Sequence, residues 1–152
     1  MLILGLDLGT ATGWAVADGP RVTRSGVWRL PPADPSAAYA ALRDCLEYEL
    51  SEMPVPGLVA YEAVPASAHR GGDAAHRWGG FEAIVLAKCE ARQVRYLGVP
   101  IATWKRAAGL RAGTGPAEAL AAAHRRWPVP YFETADEAVA RWVAIAAAER
   151  VK

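Results

Sequence analysis

Residues 2–6 are apolar or glycine without a break and end on an acid, Asp7; residues 58–61 repeat the pattern and end on Glu62. Uninterrupted apolar runs of this length, bounded by turn residues, read as strands buried on both faces. Gly9-Thr10-Ala11-Thr12-Gly13 supplies turn chemistry after the first run, and residues 14–17 form a second one. Asp18-Gly19-Pro20 then closes a hairpin into a third strand, at about residues 21–30. Beyond Pro31-Pro32-Ala33-Asp34-Pro35 the pattern turns amphipathic, with Ser36 as the expected N-cap of a helix running to about Met53.

The rest of the chain alternates. A strand over 58–64 is followed by an irregular stretch, 65–80, which carries Gly71-Gly72-Asp73 and Gly79-Gly80 and is long for a compact domain. Such a loop is expected to be functional or mobile. A helix over 81–92, a strand over 94–97, a short helix over 103–108, a loop over 109–115 and helices over 117–127 and 135–151 complete the order. Three meandering strands followed by alternating helices and strands predict an α/β fold. Its mixed five-stranded sheet has three antiparallel strands, then two parallel ones, with helices on both faces. If the first and fourth strands are neighbours, Asp7 and Glu62 meet at the carboxyl end of the sheet, where open α/β sheets bind ligands.

Two acids closing apolar strands need a partner, because an unpaired buried carboxylate costs several kcal/mol. Singly, each has an ordinary explanation: Asp as a turn former, Glu as the partner of an Arg. Asp136, which opens an alanine-rich helix, supplies a third hard oxygen donor. Three such donors from separate elements suit Mg²⁺ or Mn²⁺, and that site in turn suits phosphodiester hydrolysis.

At 152 residues and 53% hydrophobic, the chain is expected to form one domain, 1–152, with a sizeable core. Cys45 and Cys89 fall in predicted helices and the N-terminus is not signal-like, so a reducing, cytoplasmic setting is expected. No apolar stretch approaches the roughly 18–20 residues of a membrane span. The net charge of +1 conceals a division. Residues 1–62 hold four Arg against eight acids, and residues 63–152 hold thirteen Lys/Arg against eight acids. Arg70, Arg77, Lys105, Arg106 and Arg111 are the candidates for meeting a polyanion, set against the simpler reading of solvated helix faces. Trp78, beside His76 and Arg77, reads as a packing residue or as a platform for an unpaired base. Trp14, Trp28, Trp104 and Trp142 read as packing residues.

Several segments together resemble the RuvC-like Holliday junction resolvases of the ribonuclease H-like superfamily, in their short phage and mobile-element form. They are Leu4-Gly5-Leu6-Asp7-Leu8-Gly9-Thr10 with Thr12-Gly13-Trp14-Ala15-Val16, the strand ending at Glu62, Val99-Pro100 with Lys105 close behind, Gly113-Thr114-Gly115-Pro116-Ala117-Glu118, and Asp136-Glu137-Ala138. The resemblance implies a crossover junction endodeoxyribonuclease with Asp7, Glu62 and Asp136 on Mg²⁺ or Mn²⁺ in a two-metal site, and Lys105 near the DNA phosphates. It also implies a homodimer on a four-way junction, joined through the 81–92 helix. Two positions depart from the family pattern. The second acid of the last helix, three residues on, is Val139, and a lysine expected after the glycine loop is Ala119. Glu133 and Glu137 are the candidate substitutes for the missing acid. The alternatives are a RuvC-like protein that binds branched DNA without cutting it, and an actin-like or sugar-kinase-like nucleotide-binding domain. The latter normally needs a second domain of similar size.

Overall fold

The computed structural model describes residues 1–68, 71–128 and 134–151. Strands β1 (Leu2–Asp7), β2 (Ala11–Asp18) and β3 (Arg21–Arg29) form the antiparallel meander, and β4 (Leu58–Ala63) and β5 (Arg95–Pro100) add on in parallel. The sheet order is β3-β2-β1-β4-β5, so the first and fourth strands are neighbours as expected. The helices are α1 (Pro35–Glu49), α2 (Gly72–Arg92), α3 (Ile101–Ala107), α4 (Pro116–Arg126) and α5 (Ala135–Arg150), with a 3₁₀ turn at Ala66–Ala68.

Side chains alternate across the central strands and divide the core in two. Leu4, Leu6 and Leu8 of β1 and its exit, with Val59 and Tyr61 of β4, pack with α1 and α2 through Leu42, Leu46, Phe81 and Val85. On the other face Ile3, Leu58 and Ala60 pack with Trp104 of α3, the alanines of α4, and α5. That alternation also dictates where the acids point. Asp7 continues the Ile3-Gly5 row and Glu62 the Leu58-Ala60 row, so both face the α5 side.

Helix α5 lies unusually close to the sheet because its inner positions are alanine and the strands beneath carry glycine. A Cβ on Gly13 would run into the backbone carbonyl of Asp136 and the amide of Glu137, and one on Gly5 would run into Ala140 and Ala144. Gly13 is the register partner of Asp7. The same backbone approach that buries α5 therefore sets the Asp136 position beside Asp7.

Local boundaries differ from expectation: α1 ends at Glu49 instead of about Met53 and α3 spans Ile101–Ala107 instead of 103–108, and four other differences have a visible cause. The N-cap of α1 is Asp34, not Ser36; its Oδ1 accepts the amides of Ser36 and Ala37 at 2.9 and 3.1 Å, with Pro35 in the first turn. The turn after Asp7 is shorter and β2 begins at Ala11, because buried Thr12 closes it: its Oγ1 donates to the Gly9 carbonyl at 2.6 Å and accepts the Gly9 amide. Strand β5 runs on through Gly98 to Pro100, held by pairing with β4 as far as Ala63. Finally, the second half of the expected long loop is helix, since α2 starts at Gly72. Tertiary packing outweighs the glycine propensity there: Gly80 gives the Tyr39 ring of α1 room against α2. Both cysteines are free, Cys89 buried and Cys45 half-buried. Among the described residues no helix is long and apolar enough to cross a membrane.

Candidate active site

The β1–β4 register pairs Leu6 with Tyr61, so the next residues along the two parallel strands, Asp7 and Glu62, stand together at the carboxyl end of the sheet. They line one cavity of ≈ 220 Å³ with Asp136, Trp104, Lys105 and Val139. Five elements converge there: β1, β4, α3, the first residue of α4 with the loop before it, and the first turns of α5. The N-cap Thr134 receives the Glu137 amide and starts α5 at the rim of this cavity.

Electrostatics identify Asp7 as the focus of the cluster. Burial, followed by the negative charges of Glu62 and Asp136, holds its carboxyl well above the usual carboxylate range, and a hydrogen bond with Glu62 adds to the effect. Burial also raises Glu62, against the opposing pull of the Trp104 N–H, the Lys105 charge and the hydrogen bond from Asp7. Asp136 is raised by burial and restrained by a backbone hydrogen bond and by Arg29. Acids gathered in this way are high in energy until a cation or protons neutralise them.

Among the described residues, no three His, Cys, Asp or Glu side chains already stand as a metal-holding group. Asp7 and Glu62 are closed on each other, and Asp136 acts on Asp7 through charge alone. The donor set still fits a hard divalent cation: three carboxylates on three elements border one cavity, with raised proton affinities that a cation would relieve. Val139, 6% exposed, contributes an apolar wall to the cavity.

The other predicted residues divide. Lys105 enters the cavity, and its Nζ donates to the Thr114 carbonyl at 2.7 Å, which ties α3 to the glycine loop. Arg106, one residue on, points away into a separate cavity with Thr103, Glu149 and Arg150. Arg111 is exposed in the loop after α3, where its carbonyl accepts the Thr114 hydroxyl. Arg77 lies on α2, not in a loop, and its guanidinium donates to the Pro32 carbonyl at 3.0 Å. Trp78 packs against the α1–α2 core and is half-buried, the packing reading, although it also borders a cavity with Gly9, Thr10 and Arg77. Arg70 and Glu133 lie outside the described residues.

Glu137 does not substitute for the acid missing at Val139. It is buried on the far side of α5, where Ser25 of β3 donates to it at 2.5 Å and Arg141 pairs with it at 3.4 Å. Arg141 also donates to Ser25 and covers the Trp127 ring. This polar bridge from β3 to α5, and the Trp104 hydrogen bond to Glu62, were not foreseen. The only sequence signal for either was a polar-tipped side chain falling within an apolar stripe.

No protein-family model and no curated protein matches the chain. Solved structures do. Thermus thermophilus RuvC in complex with a Holliday junction substrate aligns with TM-score 0.81 at 16% identity, covering 99% of this chain and 95% of that one. T. thermophilus RuvC in a second structure gives 0.78 at 18% identity, with coverages of 99% and 95%. The yeast mitochondrial Holliday junction resolvase Ydc2 gives 0.68 at 13% identity, with 96% and 77% covered. At these identities the likeness establishes the fold, a ribonuclease H-like α/β architecture.

Proposed function

We propose that this protein is a metal-dependent endonuclease of branched DNA, resolving Holliday junctions by paired nicks as a homodimer. The observation that carries the reading is the cavity at the carboxyl end of the sheet, bordered by Asp7, Glu62, Asp136 and Lys105. The fold shared with resolvases, one of them solved with a junction substrate, supports it.

Asp7, Glu62 and Asp136 would hold Mg²⁺ or Mn²⁺. Bound there, the ions would supply an activated water and a Lewis acid for the phosphate oxygens. The chain's own groups do the positioning. Asp7 and Glu62 are each half-buried, which strengthens their charge interactions over those in open water. Lys105 spends one of its three N–H donors on Thr114 and keeps two for a phosphate at the cavity mouth. Arg70, Arg77, Arg106 and Arg111 would hold the DNA arms through their backbones, and the exposed side of α2 would pair the two subunits.

The test is incubation of labelled four-way junction and matched duplex with Mn²⁺, Mg²⁺ or chelator. Symmetric, metal-dependent nicks in the junction alone are expected; no nicking with either ion contradicts the reading. Val139 favours a second reading, a junction-binding protein with weakened or absent cleavage, which the same assay detects as a gel shift without nicks. Lys105→Ala is expected to weaken junction binding and to reduce the slope of log affinity against log salt by about one. A slope unchanged from wild type would remove Lys105 from the phosphate contact.

A further inference from the structure

Helix α3 follows β5 directly, and the β4–β5 register sets Glu62 beside Val99, so the first turn of α3 stands over Glu62. Trp104 occupies that turn. Its ring is packed into the α5 core with 3% exposure, and its indole N–H donates to Glu62 Oε1 at 2.7 Å. The ring is therefore anchored by apolar neighbours while its polar atom is committed to one oxygen of the carboxylate.

We infer that Trp104 is a positioning residue for Glu62: its indole N–H, held by the core, fixes the rotamer of the carboxylate and leaves its other oxygen turned toward Asp7. This rests on the metal reading above and extends it. A Glu side chain has three rotatable bonds, and an unrestrained one would have to be ordered each time a cation bound. The restraint counts for more here because Val139 supplies no fourth oxygen, so affinity depends on how well three donors are oriented. Indole suits the task, since it donates at every pH and accepts nothing.

The experiment follows the indole ¹⁵N–¹H resonances of the full-length protein during a Mg²⁺ titration, in wild type, Trp104→Phe and Glu62→Gln. The resonance missing from Trp104→Phe is that of Trp104. It is expected to move on adding Mg²⁺ to wild type, and to sit elsewhere in metal-free Glu62→Gln, where a neutral amide oxygen replaces the charged acceptor. That second comparison does not depend on the Phe variant folding. Trp104→Phe is expected to need about 10–100-fold more Mg²⁺ for half-saturation, the usual cost of losing a hydrogen-bond partner behind a metal ligand. If wild type binds Mg²⁺ while the Trp104 resonance stays fixed and Trp104→Phe binds equally well, the positioning role is overturned and the metal reading survives. If wild type binds no Mg²⁺ at all, both fall.

Discussion

Asp7→Asn and Glu62→Gln are each expected to lower junction cleavage by at least about 10²-fold, the scale of removing one electrostatic contact from a reacting centre. Junction binding is expected to stay close to wild type. Both substitutions keep the size of the side chain and one carbonyl oxygen that can accept a hydrogen bond while removing the charge, so the fold is expected to persist. Asp136→Asn is expected to act in the same direction, because its charge reaches Asp7. Cleavage rates and gel-shift affinities measured side by side check this. Near wild-type nicking by any two of the three variants would remove the carboxylates from the chemistry.

Gly13→Ala is expected to be the most damaging small substitution in the sheet. A methyl group there meets backbone atoms of Asp136 and Glu137, which cannot rotate aside, so α5 must lift from β2. Overpacking of this kind costs about 1–3 kcal/mol, and a backbone obstacle places it at the upper end. In a domain of this size each kcal/mol lowers the melting temperature by about 2–4 °C. Because Asp136 rides on the displaced segment, cleavage is expected to fall as well, at temperatures where the variant is still folded. Gly79→Ala, in open space within α2, is the control and is expected to be neutral or slightly stabilising. A Gly13→Ala protein that melts with wild type would mean that α5 does not press on β2 at that point.

The sheet and two of the three acids were legible because strand periodicity is a strong signal in this chain. The row Ile3-Gly5-Asp7 and the row Leu58-Ala60-Glu62 can be written from the sequence alone, and the parallel pairing of β1 with β4 turns them into neighbours. Asp136 was legible as a helix-opening acid. Its approach to Asp7 was not, because that depends on Gly13 admitting the backbone of α5, a relation between residues 13 and 136 that no local pattern encodes. The start of α2 was misjudged for a related reason: Gly72, Gly79 and Gly80 read as breakers, whereas α1 packs against that segment and holds it helical. Arg77 and Arg106 were grouped with Lys105 by charge alone. Helical geometry separates them, Arg106 turning to the far side of α3 from Lys105.

The central claim, that Asp7, Glu62 and Asp136 act as one metal centre, is tested most directly by thermal melts of wild type and Asp7→Asn with chelator, Mg²⁺ and Mn²⁺. Binding to the native state adds about 2.7 kcal/mol when the ion is at 100 times its dissociation constant, which corresponds to roughly 5–10 °C in a domain of this size. Wild type is expected to show a rise of this kind at millimolar ion. Asp7→Asn, relieved of the buried charge that Glu62 and Asp136 oppose, is expected to melt higher than wild type in chelator and to respond little to either ion. A wild type that does not respond to either ion, together with a mutant no more stable than wild type in chelator, would show that the three acids do not form one site.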